Sequence, residues 1–131
     1  MKIDLIPLQI HGDERGSLVS LERNTNIPFD IRRVYYIFDT ENGVTRGYHA
    51  HKKLKQIAIV LKGSCDFILD DGKERVTITL NNPAQGLLIN SFMWREMKNF
   101  SADCVLMVLA DNEYDESDYI RDYEQFILMA K

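Results

Sequence analysis

The sequence predicts an all-β chain folded as a sandwich or closed barrel, with one short helix at its C-terminal end. Three observations carry this. β-type residues recur in short runs, nearly every run is bounded by a turn-forming cluster, and a helical period occurs only near the end of the chain.

The runs, in order, are KIDLIPLQI, SLVSLE, RRVYYIF, TRGYHAH, KQIAIVL, SCDFIL, ERVTITL, GLLI and DCVLMVLA. Between them stand DERG, NIPFD, DTENG, KGS, DDGK and NNPAQG, rich in the residues that supply positive φ, fixed φ or side-chain-to-backbone bonds at turns. Asp71-Gly72, between two alternating runs, predicts a hairpin. About nine strands at this spacing imply a sandwich or barrel. Ser117 is placed to cap a final helix, with Tyr119, Tyr123, Phe126, Ile127 and Ala130 at spacings of three and four, and that helix is expected to pack on the barrel or on a partner subunit.

With 131 residues, of which 45% are hydrophobic and 27% charged, the chain suits a single domain spanning 1–131. The opening MKIDLIPLQI lacks the apolar run of a signal peptide, and charges interrupt every later apolar stretch, so a soluble, cytoplasmic protein without membrane contact is expected. Cys65 and Cys104 each lie in an apolar run without CxxC spacing and are read as reduced structural thiols. The net charge of −4 is uneven. Residues 111–124 hold seven acids against Arg121 alone, leaving 13 acids and 15 bases elsewhere. That balance argues against nucleic-acid binding and leaves room for a local anion site.

His49 and His51 flank Ala50, so on a strand both imidazoles enter the same space. The spacing from Gly43 through His49-Ala50-His51 and Gln56 to Gly63 resembles the first signature of the cupin superfamily, jelly-roll barrels in which two histidines and a glutamate bind a metal. Here Gln56 replaces the glutamate, and PAQGLLINSFMWREM lacks the histidine of the second signature. Two histidines leave a divalent ion short of three protein ligands, so no metal is expected. An imidazole free of metal can instead serve as a general base.

Arg15 and Arg46 each adjoin a glycine, and their D-x-R-G and R-G-x-H settings resemble the metal-free sugar-nucleotide 3,5-epimerases. That resemblance implies arginines on the ligand's diphosphate and His49 as base, with Lys52, Lys53 and Lys55 placed to add a supporting field. The blocks RRVYYIFDT, RGYHAHKKL, FMWREM and NEYDESDYIRDYEQF, spanning about residues 12–126, are more similar to the TDP-4-keto-6-deoxyglucose 3,4-ketoisomerases. Membership would imply a substrate that is a TDP-linked 4-keto-6-deoxyhexose, no cofactor, and a product feeding 3-amino-3,6-dideoxyhexose synthesis. It would also imply a homodimer, for which MKIDLIPLQI is a candidate exchanged strand. His49 would move protons at carbon, with His51 and Tyr35 orienting it or relaying protons between oxygens, although either histidine could be the base. Arg33, Arg46, Lys53 and Arg95 would join Arg15 in holding the substrate. In this family Arg with His at two pocket positions marks galacto-forming enzymes and Tyr with Arg marks gluco-forming ones. Arg15 with Arg95 matches neither, and the DERGSL loop inclines the reading to galacto. A C3/C5 epimerase and a non-catalytic sugar-nucleotide-binding cupin are the alternatives.

Overall fold

The computed structural model describes residues 1–131. Its strands are β1 Asp4–Pro7, β2 His11–Asp13, β3 Gly16–Leu18, β4 Arg33–Ile37, β5 Arg46–His51, β6 Gln56–Lys62, β7 Cys65–Asp70, β8 Arg75–Leu80, β9 Gln85–Ile89, β10 Trp94–Lys98, β11 Val105–Ala110 and β12 Tyr119–Ile120, with a short 3-10 turn at Glu116–Asp118 and one α-helix, α1, Tyr123–Met129. Two five-stranded sheets form, in the orders β1-β9-β6-β11-β4 and β12-β5-β10-β7-β8, and β2 pairs with β3 alone. All strand pairings are antiparallel.

The alternation in the sequence explains why the sheets face each other. One cluster joins Ala58, Val60, Leu87, Leu106 and Val108 of the first sheet to Phe67, Leu69, Leu80 and Met97 of the second. Each of the fully buried Val, Leu, Phe and Met side chains among them contributes about 1.5–3 kcal/mol. A second cluster lies behind the first sheet, where Leu8, Ile27 and Phe29 cover Ile57, Ile59 and Leu109. A third lies behind the second sheet, where Phe126 of α1 covers Ala50, Trp94 and Ile120. β6 is therefore enclosed on both faces, which is why IAIV reads as a continuous apolar run.

The all-β expectation, the C-terminal helix and the Asp71-Gly72 hairpin all appear, the last joining β7 to β8 with Gly72 at φ +94°. Several elements differ from expectation. DERG, read as a separator, is the tip of the β2–β3 hairpin, and SLVSLE continues it only to Leu18. The helix begins at Tyr123 with Asp122 as its cap, not at Ser117, because Tyr119 and Ile120 pair with His51 and Ala50 and this tertiary ladder overrides the local helical period. β1 pairs antiparallel with β9 at the edge of the first sheet.

Candidate active site

The site is built on β5 and its neighbours. Gly47 has φ +89° and Tyr48 φ +58°, and the register between β5 and β10 slips there, pairing His49 with Arg95 and Gly47 with Glu96. Tyr48 is the extra residue of a β-bulge. A Cβ on Gly47 would lie 2.9 Å from the Arg95 carbonyl oxygen, so the glycine permits close approach of β10 rather than of a ligand. Beyond the bulge the strand is regular, and His49 and His51 share a face with ring centroids 4.9 Å apart, edge to face. The Tyr119 ring from β12 packs on both, at 4.8 and 4.3 Å, and Arg121 lies 4.1 Å above it.

Both imidazoles have an assigned proton. His49 Nδ1 lies 3.1 Å from the Gly47 carbonyl oxygen and His51 Nδ1 lies 3.1 Å from Asp118 Oδ2. Each of those oxygens only accepts, so each Nδ1 carries hydrogen and each Nε2 offers a lone pair. His51 Nε2 is buried without a partner. Burial, then the Arg95 charge, lowers both imidazoles to about 3. A carboxylate 3.1 Å away would favour imidazolium at His51. Asp118 also accepts from the Lys53 and Leu54 backbone N–H groups, however, and desolvation with the Arg95 and Arg33 charges prevails. Both rings are neutral bases at working pH.

Arg95, 2% exposed, occupies the interior beneath them. It donates to Gln56 Oε1 through Nη1, and to the Met93 carbonyl through Nε at 3.3 Å and Nη2 at 3.1 Å. Gln56 Nε2 in turn donates to Tyr35 Oη at 3.3 Å. Burial lowers the Arg95 guanidinium to about 10, which leaves it charged at neutral pH. The metal position of the cupin signature therefore faces a cation, and its third donor is occupied by that cation. This donor set does not fit a divalent ion.

A cavity of about 550 Å³ opens above these groups, lined by Arg33, Tyr35, Arg46, His49, Tyr119 and Arg121 among others. His51 and Lys53 instead border a neighbouring polar cavity of about 230 Å³, with Tyr119 and Arg33 reaching both spaces. Tyr35 faces inward and Tyr36 outward, the latter 63% exposed. Arg15 is not brought to this site: it is 84% exposed on the β2–β3 hairpin, donates to Asp13 at 2.5 Å, and lines only a hollow formed by residues of that hairpin. Tyr119, Asp118 and Arg121 lie against the histidine pair or on one another there, a placement that spacing did not reveal. Their run, YDESDYIRDY, stood out in the sequence as an acidic segment and as a resemblance, while the helical period placed Tyr119 on a helix face.

Fold and site together define a cupin-type jelly roll with a cavity lined by arginines and an imidazole. Residues 1–131 match the family described as FdtA: WxcM-like, C-terminal, and the chain belongs to it. It is 59% identical over 114 residues to a TDP-4-oxo-6-deoxy-alpha-D-glucose-3,4-oxoisomerase of Aneurinibacillus thermoaerophilus, covering 87% of this chain and 82% of that protein. Among solved structures, it is similar to a histidine-to-asparagine variant of a Thermoanaerobacterium thermosaccharolyticum 3,4-ketoisomerase in complex with TDP-4-keto-6-deoxyglucose. That likeness has 46% identity and a TM-score of 0.96, covering 98% of this chain and 93% of the other. It is also similar to a TDP-quinovose 3,4-ketoisomerase of Campylobacter jejuni, at 52% identity and a TM-score of 0.92 over 96% of this chain and 97% of the other.

Proposed function

We propose that this chain moves the ketone of TDP-4-keto-6-deoxy-D-glucose from C4 to C3, yielding a TDP-3-keto-6-deoxyhexose. It is an isomerase of the sugar-nucleotide 3,4-ketoisomerase type. The observation that carries the reaction is His49: its Nδ1–H is pinned by the Gly47 carbonyl and its Nε2 lone pair is free, in a cavity lined by Arg33, Arg46 and Arg121.

His49 Nε2 takes the proton from C3, and the electrons move through the C3–C4 bond onto the C4 oxygen, giving an enediolate. The arginines around the cavity offset the developing charge and hold the diphosphate. The C3 hydroxyl then loses its proton as C3 becomes the ketone, the C4 oxygen gains one, and imidazolium returns its proton to C4. Tyr35, which lines the same cavity, carries the proton between the two oxygens, and His51, packed edge to face on His49, orients the base.

Product configuration at C4 is proposed as galacto, on the DERGSL loop that carries Arg15, with an amino-transferring enzyme consuming the 3-ketone. The functional unit is proposed as a homodimer. All six residues of β2 and β3 are exposed, and β4, at the edge of its sheet, displays Val34 and Tyr36, with exposed Phe38 just beyond it. Such an edge suits a second copy, whose hairpin would bring Arg15 to the cavity. Two buried free thiols, Cys65 and Cys104, suit a reducing compartment, and no helix is long and apolar enough to cross a membrane, so cytoplasmic placement is proposed.

Proton NMR of TDP-4-keto-6-deoxyglucose with the enzyme in deuterated buffer containing EDTA tests this reading. A C3 ketone with deuterium at C4 supports it, and the coupling constants report the C4 configuration. Exchange with the ketone fixed at C4 would indicate an epimerase. Unchanged substrate with normal TDP binding would indicate a binding module.

A further inference from the structure

Gln56 is 2% exposed, sits on β6 across from Arg95, and has no part in the proton steps above. Its two hydrogen bonds have a fixed direction. A guanidinium only donates, so Arg95 Nη1 compels the Gln56 carbonyl oxygen to face it. The amide nitrogen must then face Tyr35 and donate to its hydroxyl oxygen at 3.3 Å. A hydroxyl that accepts on one side has its own proton to give elsewhere, and Tyr35 borders the cavity beside His49. Resting on the ketoisomerase reading, we infer that Gln56 is a positioning residue: it turns the Tyr35 O–H outward, as a proton donor to the substrate oxygens, by relaying the donor-only character of buried Arg95.

The neutral amide is what the position requires. Glutamate has the same shape and can keep the Arg95 contact, but its second oxygen accepts, so Tyr35 would turn its proton inward to the carboxylate. A merely space-filling role predicts the opposite preference, with glutamate tolerated better than methionine because it retains the Arg95 partner.

The test compares Q56E, Q56M and Y35F with the unaltered enzyme, all in EDTA because Q56E restores a two-histidine, one-carboxylate set. Expected for Q56E is a kcat about 100-fold lower, the scale of one proton-transfer group, with KM changed by less than about threefold. Q56M should lose less than Q56E, and Q56E/Y35F should be no slower than Y35F. Tyr35, labelled at its ring carbon and titrated by NMR in the free enzyme, should ionise at higher pH in Q56E than in the unaltered protein. Glutamate tolerated better than methionine, losses that multiply in the double variant, or an unmoved Tyr35 titration would each overturn the proposal. If the unaltered enzyme shows no isomerisation, the functional reading fails instead, and the Tyr35 titration still decides the direction of the Gln56 bond. If Q56E does not fold, the double-variant comparison of Q56M with Y35F decides the coupling.

Discussion

Two neutral imidazoles beside a buried guanidinium have a consequence for pH. Protonating either ring would place a second cation next to Arg95 in a dry interior, which is why burial and that charge hold both at about 3. The acid limb of kcat/KM reports the base of the free enzyme. It is expected far below the ordinary histidine value of about 6.5, with kcat/KM flat from about pH 8 to pH 5. A limb centred near 6.5 in initial-rate measurements would show that His49 is not the base in this environment. Asp118 is the other residue with several duties, accepting from His51 Nδ1 and from the Lys53 and Leu54 backbones. D118A would strand all three donors. We expect a loss of about 2–3 kcal/mol in urea unfolding, together with a fall in kcat as His51 loses its fixed tautomer.

At the scale of elements, the bulge in β5 is decisive. Gly47→Ala would force a Cβ into the Arg95 carbonyl at 2.9 Å and strain a backbone at φ +89°. The expected cost is about 1–3 kcal/mol in a thermal or urea melt, with activity falling further because His49 follows the displaced strand. The histidine pair was legible in the sequence because the bulge lies before it, at Tyr48, and leaves the alternation from His49 to His51 intact. β10 was not legible. Its inward residues are Arg95 and Met97, while the outward Trp94 is covered by α1, so polar and apolar positions do not sort by face. Glu96, on the outward side, accepts from Trp94 Nε1 and Arg75. Tyr119 was hidden for a related reason: two residues of ladder with β5 interrupt a segment whose spacing is helical. Gln56 was visible only as a missing ligand, since its role depends on a guanidinium 39 positions away in sequence.

At the scale of the whole molecule, the β2–β3 hairpin is the element that a single chain leaves unexplained. An isolated two-stranded hairpin is marginal in water, and this one has all six strand residues exposed and an arginine at its tip paired only to Asp13. A second copy would give it a surface to lie on and give the cavity a further cation. The arrangement makes a sharp prediction for complementation. R15A and H49N should each be nearly inactive alone. If Arg15 serves the partner's cavity, a tagged heterodimer of the two has one site with both residues intact, and it should recover about half of the unaltered rate. If Arg15 serves its own chain, neither site of that heterodimer is complete, and the purified mixture stays as inactive as its parents. Sedimentation velocity on the same samples checks that the species assayed is a dimer, so that failure to recover activity reports on where Arg15 acts rather than on assembly.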